Sequence, residues 1–434
     1  MDRSGVAGER PVAQLLVEHA EELVTAAGAS QRPKVGDQLR ELGVIRDGAV
    51  AAAGGRIVAV GATAEVRSRV RLAEDAVVLD ASGKTVLPGF VDPHTHLVYA
   101  GSREAEFVLR LMGRSYREIL AAGGGILTTV DATRRASCEQ LVEAAARRLD
   151  TMLAHGVTTV EVKSGYGLTT RDEIKILEAI RQLGRRRPVR LVATFLGAHA
   201  VAPEYRDDPE AYVELVIREM IPEVASRGLA EFCDVFCEEG VFSVEQSRRI
   251  LEAGRRAGLR PKLHADEIAP LGGAELAAEV GAVSADHLVH VSERGIRRLA
   301  EAGVVAVLLP VTTLFLMGER YAPARSLIDA GVAVALATDS NPGTSPTESM
   351  ALAISLACLK LRMLPSEAIA AATINAAHAA GRAHEVGSLE VGKRADLVVV
   401  AAPNHWLIPY KVGVNLVETV IVDGRVVLKR RPGS

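Results

Sequence analysis

The sequence predicts an α/β protein, a (β/α)8 TIM-like barrel with a small β-sandwich domain built from both chain ends. Three observations carry this. Between residues 88 and 387, eight short apolar runs alternate with amphipathic helical stretches, as a closed parallel barrel requires. The two ends read instead as strands joined by tight-turn dipeptides. The 434 residues exceed one ordinary domain and suit a barrel of roughly 250 residues or more plus a smaller unit. The expected division is an N-terminal extension over 1–10, the first part of the β domain over 11–87, the barrel over 88–387, and the second part of the β domain over 388–434.

In the first part of the β domain, Gln14-Leu15-Leu16-Val17, Gly48-Ala49-Val50-Ala51 and Arg56-Ile57-Val58-Ala59-Val60 read as strands. Gly54-Gly55, between the last two, is a hairpin signal, because turns that match strand twist need positive φ. Ala395–Val400 and Thr419–Val427 repeat the style at the other end, with Asp423-Gly424 as the turn. The barrel strands expected are Thr85–Val91, Thr158–Val162, Val189–Phe195, Asp234–Cys237, Pro261–Leu263, Val283–Ala285, Val304–Leu309 and Val332–Ala337. Ser345-Pro346-Thr347-Glu348 marks a helix start, with serine as N-cap, proline at the first helical position and glutamate at N3. Its apolar continuation through Leu356 and Cys358 belongs to the outer ring.

A net charge of -3, with both signs interspersed, offers no basic face for nucleic acid or an anionic membrane. Cys138, Cys233, Cys237 and Cys358 form no C-x-x-C pair, so a reducing, cytoplasmic setting is expected. The first residues lack the pattern of a signal peptide. The longest apolar stretch, Val304–Met317, is broken by Pro310, Thr312 and Thr313 and falls short of the ~18 residues a spanning helix needs. No P-loop or G-x-G-x-x-G opens a helix after a strand, which disfavours a nucleotide-dependent enzyme.

In such a barrel the chemistry sits at the carboxyl ends of the strands. The first strand ends in His94 and His96, whose i, i+2 spacing puts both imidazoles on one face of an extended chain. The fifth ends at His264, the sixth at His287 and the eighth at Asp339. Three imidazoles and a carboxylate with an open position suit one Zn2+ or Fe2+ and a water, whose pKa the metal lowers to about 7. Metal-assisted hydrolysis or deamination is the natural reaction class. Arg103 offers a bidentate fork for a substrate carboxylate. Tyr166 and His199 close the second and third strands. Lys163 ends the second strand, not the fourth, so a lysine-bridged pair of metals is not expected. His19, His155, His290, His378, His384 and His405 are assigned to structure or surface.

Several segments then stand out: Pro88-Gly89-Phe90-Val91-Asp92-Pro93-His94-Thr95-His96, Ser102-Arg103-Glu104, Lys163-Ser164-Gly165-Tyr166-Gly167, His264-Ala265-Asp266-Glu267, Asp339-Ser340-Asn341-Pro342-Gly343 and the tail Gly387–Leu397. Together they resemble the amidohydrolase superfamily, from about residue 12 to the C-terminus. Within it they are most similar to the enzymes that open the ring of 4-imidazolone-5-propionate in histidine degradation. The H-x-H motif is shared by many hydrolases and deaminases, whereas the Ser-Arg-Glu, Lys-Ser-Gly-Tyr-Gly and Asp-x-Asn-Pro-Gly segments are far more specific.

The resemblance implies one Zn2+ or Fe2+ held by His94, His96, His264 and Asp339. It implies substrate contacts from Arg103, Tyr166, His199, Glu267, Asn341, Gly343 and Thr344, the last keeping a hydroxyl where the family often has serine. In the reaction it implies, Asp339 shuttles the proton, His287 orients the water or polarises the carbonyl, Glu267 bonds a ring N–H, and Arg103, with Tyr166, fixes the propionate. A homodimer is also implied and agrees with general frequencies. The rival readings are another mononuclear amidohydrolase, such as a nucleobase or triazine deaminase, and a non-catalytic scaffold relative. Arg103 argues against the first, because it favours an anionic substrate, and the complete ligand set argues against the second. The Gly123-Gly124-Gly125 run is a candidate mobile stretch over the site.

Overall fold

A computed structural model describes residues 10–114, 118 and 124–430. The N-terminal extension up to residue 9 and Gly123 of the glycine run lie outside the described residues.

Eight parallel strands, each hydrogen-bonded to the next, form the central sheet. They are β1 (Phe90–Asp92), β2 (Val157–Lys163), β3 (Arg190–Ala198), β4 (Phe232–Cys237), β5 (Arg260–Ala265), β6 (Ser284–His287), β7 (Val305–Leu308) and β8 (Val334–Leu336). Apolar runs bounded by turn residues form these strands because helices bury their outer face. Just beyond β1 and β8 the circle closes: the Asp339 amide donates to the His94 carbonyl at 3.1 Å, and that of His96 to the Ser340 carbonyl at 2.9 Å. Buried Asp92 reinforces the seam by accepting from both the amide and the hydroxyl of Thr338. The first metal-ligand candidates and the last are thereby brought together across 245 residues of sequence on one rim.

The outer helices start where the sequence supplies caps. Ser137 and Gln140 cap Cys138–Ala154 reciprocally, Ser243 and Gln246 cap Val244–Arg256, and Thr169 caps Thr170–Arg186. One expected start is corrected. The helix after β8 runs Met350–Leu359 and is capped by Ser349, whose hydroxyl accepts from the Leu352 amide. Ser345 does not cap it, because its hydroxyl donates to the Thr338 carbonyl at 2.6 Å and pins the rim loop instead.

Both chain ends build the second unit. A six-stranded sheet has the order Arg425–Lys429, Val417–Val422, Leu397–Val400, Thr85–Pro88, Glu22–Val24, Val44–Ile45, which interleaves C-terminal and N-terminal strands. A four-stranded sheet packs on it, and Leu15, Val17, Val50, Ile57, Leu397 and Ile421 share one core between them. Both hairpin signals hold, with Gly54-Gly55 and Asp423-Gly424 at positive φ.

The expected single strand Thr85–Val91 is divided. Thr85–Pro88 pairs with Leu397–Val400 in the six-stranded sheet, whereas Phe90–Asp92 pairs with β2 in the barrel. The chain changes partners at Gly89, whose amide donates to the Asp396 carbonyl while that of Phe90 donates to Gly156. A side chain at Gly89 would overlap the Thr158 hydroxyl, so only glycine permits this close crossing.

Candidate metal centre and active site

The strand ends place four side chains around one point. His96 Nε2 lies 3.4 Å from His264 Nε2, and Asp339 Oδ1 lies 3.5 Å from Nε2 of both His94 and His96. All four residues are buried. The candidate ligand atoms of the three histidines lie within 4.8 Å of one another. The 3.4 and 3.5 Å separations are close to the roughly 3.3 Å edges of a tetrahedron whose arms match Zn–N distances of about 2.0–2.1 Å.

The tautomers follow from the partners. His94 Nδ1 faces Asp286 Oδ2 at 2.6 Å, and His264 Nδ1 faces Asp234 Oδ1 at 3.0 Å. A carboxylate only accepts, so each Nδ1 carries the proton and each Nε2 turns a lone pair inward. Burial, then the Lys163 charge and neighbouring imidazoles, hold His94 neutral, well below its ordinary pKa. Burial and His199 do the same for His96. His94 Nε2 is fully buried and has no hydrogen-bond partner. A buried imidazole lone pair facing a carboxylate oxygen at 3.5 Å with no hydrogen bond between them is costly without a cation, and the donor set therefore fits a divalent metal.

Beneath the imidazoles lies a buried charge network. Lys163 Nζ reaches Asp234 Oδ2 at 2.7 Å, Glu161 Oε1 at 2.9 Å and Asp286 Oδ2 at 3.5 Å. Lys262 Nζ donates to Glu161 Oε2 at 2.7 Å, and the Thr194 hydroxyl donates to the same carboxylate. Burial works against the Lys163 charge, but Asp234, Glu161 and Asp286 outweigh it and raise its pKa above the lysine range. Burial likewise disfavours the Asp234 carboxylate, yet His264 and Lys163 hold it well below the ordinary range. Asp286 is raised by burial, in keeping with its longer contact to the shared ammonium.

The other candidates line the rim above. His287 ends β6, its ring centre 5.3 Å from that of His264, with Nε2 3.6 Å from Glu267 Oε2. Burial, reinforced by Asp339 and Glu238, raises Glu267 well above the carboxylate range. His199 stacks on His96 at 4.8 Å, and its Nδ1–H donates to the Gly165 carbonyl at 3.1 Å. Burial beside His264 lowers its pKa to about 3, so it is neutral and presents Nε2 as an acceptor. Tyr166 is buried against His199 and Tyr99. Arg103 is also buried, with Nε and Nη2 held by Glu106 Oε2 at 3.0 and 2.8 Å. A Cβ on Gly343 would overlap its Nη1, so the free edge of the fork faces the loop after β8.

Asn341 and Thr344 are placed differently. The Asn341 carboxamide oxygen accepts from the amides of Gly343 and Thr344, and its nitrogen donates to the Asp339 carbonyl and the Thr344 hydroxyl. Its side chain is hydrogen-bonded within the loop that follows β8. The six histidines set aside from the sequence stay outside this cluster: His405 bonds Glu22, His378 bonds the Ala29 carbonyl, and His155 caps a helix C-terminus.

Sequence reading missed Glu161, Asp234, Lys262, Asp286, Thr312 and Glu106. A signal was present for four of them. Buried parallel strands are expected to be apolar throughout, yet Glu161, Lys163, Asp234, Lys262 and Asp286 put charged residues inside such strands. Thr312, whose hydroxyl donates to Asp339 Oδ2 at 2.6 Å, carries no such local signal.

Comparison with known proteins agrees with this geometry. The model of the amidohydrolase family matches residues 85–427, and the chain belongs to that family. Fold similarity alone is seen with guanine deaminase of E. coli, at a TM-score of 0.73 and 18% identity over 96% of this chain and 99% of that one. It is also seen with an adenosine deaminase from Xanthomonas campestris with bound zinc, at 0.69 and 22%, covering 96% and 94%. Far greater sequence similarity links the chain to the imidazolonepropionase of Geobacillus kaustophilus, 62% identical over 416 residues and covering 95% of this chain and 98% of the relative. That of Brevibacillus brevis is 56% identical over 413 residues, covering 95% and 97%. These identities group the chain with the imidazolonepropionases.

Proposed function

We propose that the chain hydrolyses the ring amide of 4-imidazolone-5-propionate to N-formimidoyl-L-glutamate, a step of histidine degradation. The observation that carries this reading is a buried guanidinium, Arg103, on the same barrel rim as the cluster of His94, His96, His264 and Asp339. That arrangement holds an acidic tail while a ring carbonyl faces the cluster. Full-length identities of 62% and 52% to named imidazolonepropionases support it.

A divalent ion, Zn2+ or Fe2+, held by His94, His96, His264 and Asp339 would supply Lewis acidity and hydroxide at neutral pH. Asp339 presents Oδ1 to His94 while Thr312 holds Oδ2. A carboxylate beside the reacting water is placed to take a proton from it and return it to the ring nitrogen as the C–N bond breaks. The former carbonyl carbon gains the water oxygen and becomes a carboxylate. His287, neutral through burial, donates to the carbonyl oxygen as charge develops there. Glu267, its carboxyl favouring the protonated form, bonds the ring nitrogens, and His199 accepts from a ring N–H. Arg103 binds the propionate through its free edge, beside Tyr166. Gly343 leaves room for that contact, while Asn341 and Thr344 hold the loop that presents it. The reading includes a homodimer and a cytoplasmic setting, which four free thiols fit. No helix among the described residues is long and apolar enough to cross a membrane.

The test is to add metal-analysed protein to freshly generated 4-imidazolone-5-propionate, follow loss of ring ultraviolet absorbance and identify the product by NMR. Chelator-sensitive conversion is expected, and a metal-loaded protein that leaves the compound intact overturns the substrate. Arg103→Ala should raise KM at least tenfold with a smaller change in kcat, since a charge-assisted contact is worth about 1.5–3 kcal/mol. An unchanged KM removes Arg103 as the anchor.

A further inference from the structure

The mechanism makes no use of the buried ammonium of Lys163. Lys163, at the carboxyl end of β2, has no exposed surface, and its ammonium pairs with Glu161, Asp234 and Asp286, none of them a candidate ligand. It is, however, the shared neighbour of the two aspartates that face ligand imidazoles. Asp234 turns Oδ1 to the Nδ1 and amide of His264, and Oδ2 to Lys163. Asp286 turns Oδ2 to His94 Nδ1 and to Lys163, while its Oδ1 accepts from the Ser284 hydroxyl at 2.6 Å.

We infer that Lys163 is a positioning residue for the metal centre, one ammonium on β2 that sets the orientation of two metal-binding imidazoles, His264 of β5 and His94 after β1, through Asp234 and Asp286. The physical reason lies in what each aspartate lacks without it. Asp234 and Asp286 belong to different strands, β4 and β6, and both carboxylates face the same cation. With Lys163 absent, two anions would face each other in a dry interior. Their mutual repulsion would turn them away from the imidazoles whose rings they fix. Outer partners of metal-binding histidines typically govern affinity by 10- to 100-fold.

Lys262 provides the comparison. It is equally buried, and its Nζ reaches Glu161 and the Pro93 carbonyl rather than either aspartate. Lys163→Met and Lys262→Met therefore remove the same charge from the same interior, and only the first removes the bridge.

The experiment measures the Zn2+ dissociation constant of metal-stripped protein by competition with a chromophoric chelator, and the visible spectrum of the Co2+-loaded protein as a report of ligand geometry. Lys163→Met should weaken Zn2+ binding about 10- to 100-fold and alter the Co2+ bands, whereas Lys262→Met should lose less than tenfold and keep the bands. The double variant Lys163→Met/Glu161→Gln keeps the interior charge balanced and retains both aspartates. It should show the same loss, and it decides the matter where the single variant does not fold. Wild-type affinity and spectrum in the Lys163 variants overturn the inference. So does an equal loss in Lys262→Met, which would assign the effect to interior charge in general. None of these readouts depends on the identity of the substrate.

Discussion

Thr312 holds Asp339 Oδ2 at 2.6 Å, so Oδ1 is the oxygen left facing His94 and His96. A hydroxyl to a carboxylate is worth about 1.5–3 kcal/mol. Thr312→Val should therefore lower kcat about 10- to 100-fold while KM moves little, and steady-state kinetics on the metal-loaded protein checks this. A kcat within about twofold of wild type would free Asp339 from Thr312. A second residue governs stability rather than turnover. Burial raises the Asp396 carboxyl to about 6, against the partial relief given by the Asp423 amide and Arg190. The folded state thus binds this proton more tightly than the unfolded chain does. Its contribution favours folding below pH 4, is lost as pH rises from about 4 through 6, and is then missing, a difference on the order of 3 kcal/mol. Asp396→Asn should flatten that part of the stability curve, as urea midpoints at pH 4 and pH 7 will report. An unchanged slope would mean that Arg190 carries the charge fully.

At the scale of elements, the rim loops are wound around buried acceptors. Glu173, on the helix after β2, accepts from the amides of Gly165, Gly167 and Leu168, the loop that carries Tyr166. Glu238, after β4, accepts from Glu267, Ile268 and Ala269, and Asp266 accepts from Gly272, Gly273 and Ala274. Asn341 plays the same part for Gly343 and Thr344. Loops with buried amides must satisfy them, and an inward carboxylate satisfies three at once while fixing the backbone path. Glu173→Gln would set an amide N–H against a backbone N–H. It should destabilise the fold by about 1–3 kcal/mol and raise KM through Tyr166. A variant with a wild-type denaturation midpoint and KM would show that the loop keeps its path unaided.

For the whole molecule, the barrel closes where its ligand candidates meet, so metal and fold are linked. An ion at about 1,000 times its dissociation constant adds on the order of 4 kcal/mol to a protein that binds it only when folded. Chelation should lower the unfolding midpoint of the wild type, Zn2+ should restore it, and His94→Ala should respond to neither. Equal midpoints with and without metal would separate the centre from the stability of the closed barrel. The six-stranded sheet ties the two ends of the chain together in the same way, with Thr85–Pro88 lying between Leu397–Val400 and Glu22–Val24.

By itself the sequence determined the strand count, the order of the units and the positions of His94, His96, His264, His287 and Asp339 at strand ends. Those features are local: apolar runs mark the strands, turn dipeptides mark the hairpins, and a barrel places its chemistry where strands stop. Tertiary structure decided the rest. Asp286 meets His94 across 192 residues, and Asp92 meets Thr338 across 246. The division of Thr85–Val91 at Gly89 depends on which sheet each half finds to pair with. Ser345 looked like a helix cap because its neighbours have the right types, and the nearby Thr338 carbonyl claimed its hydroxyl. Lys163 reads from sequence only as a lysine on the wrong strand for a bridge. Its place between two aspartates exists only once β2, β4 and β6 share one interior.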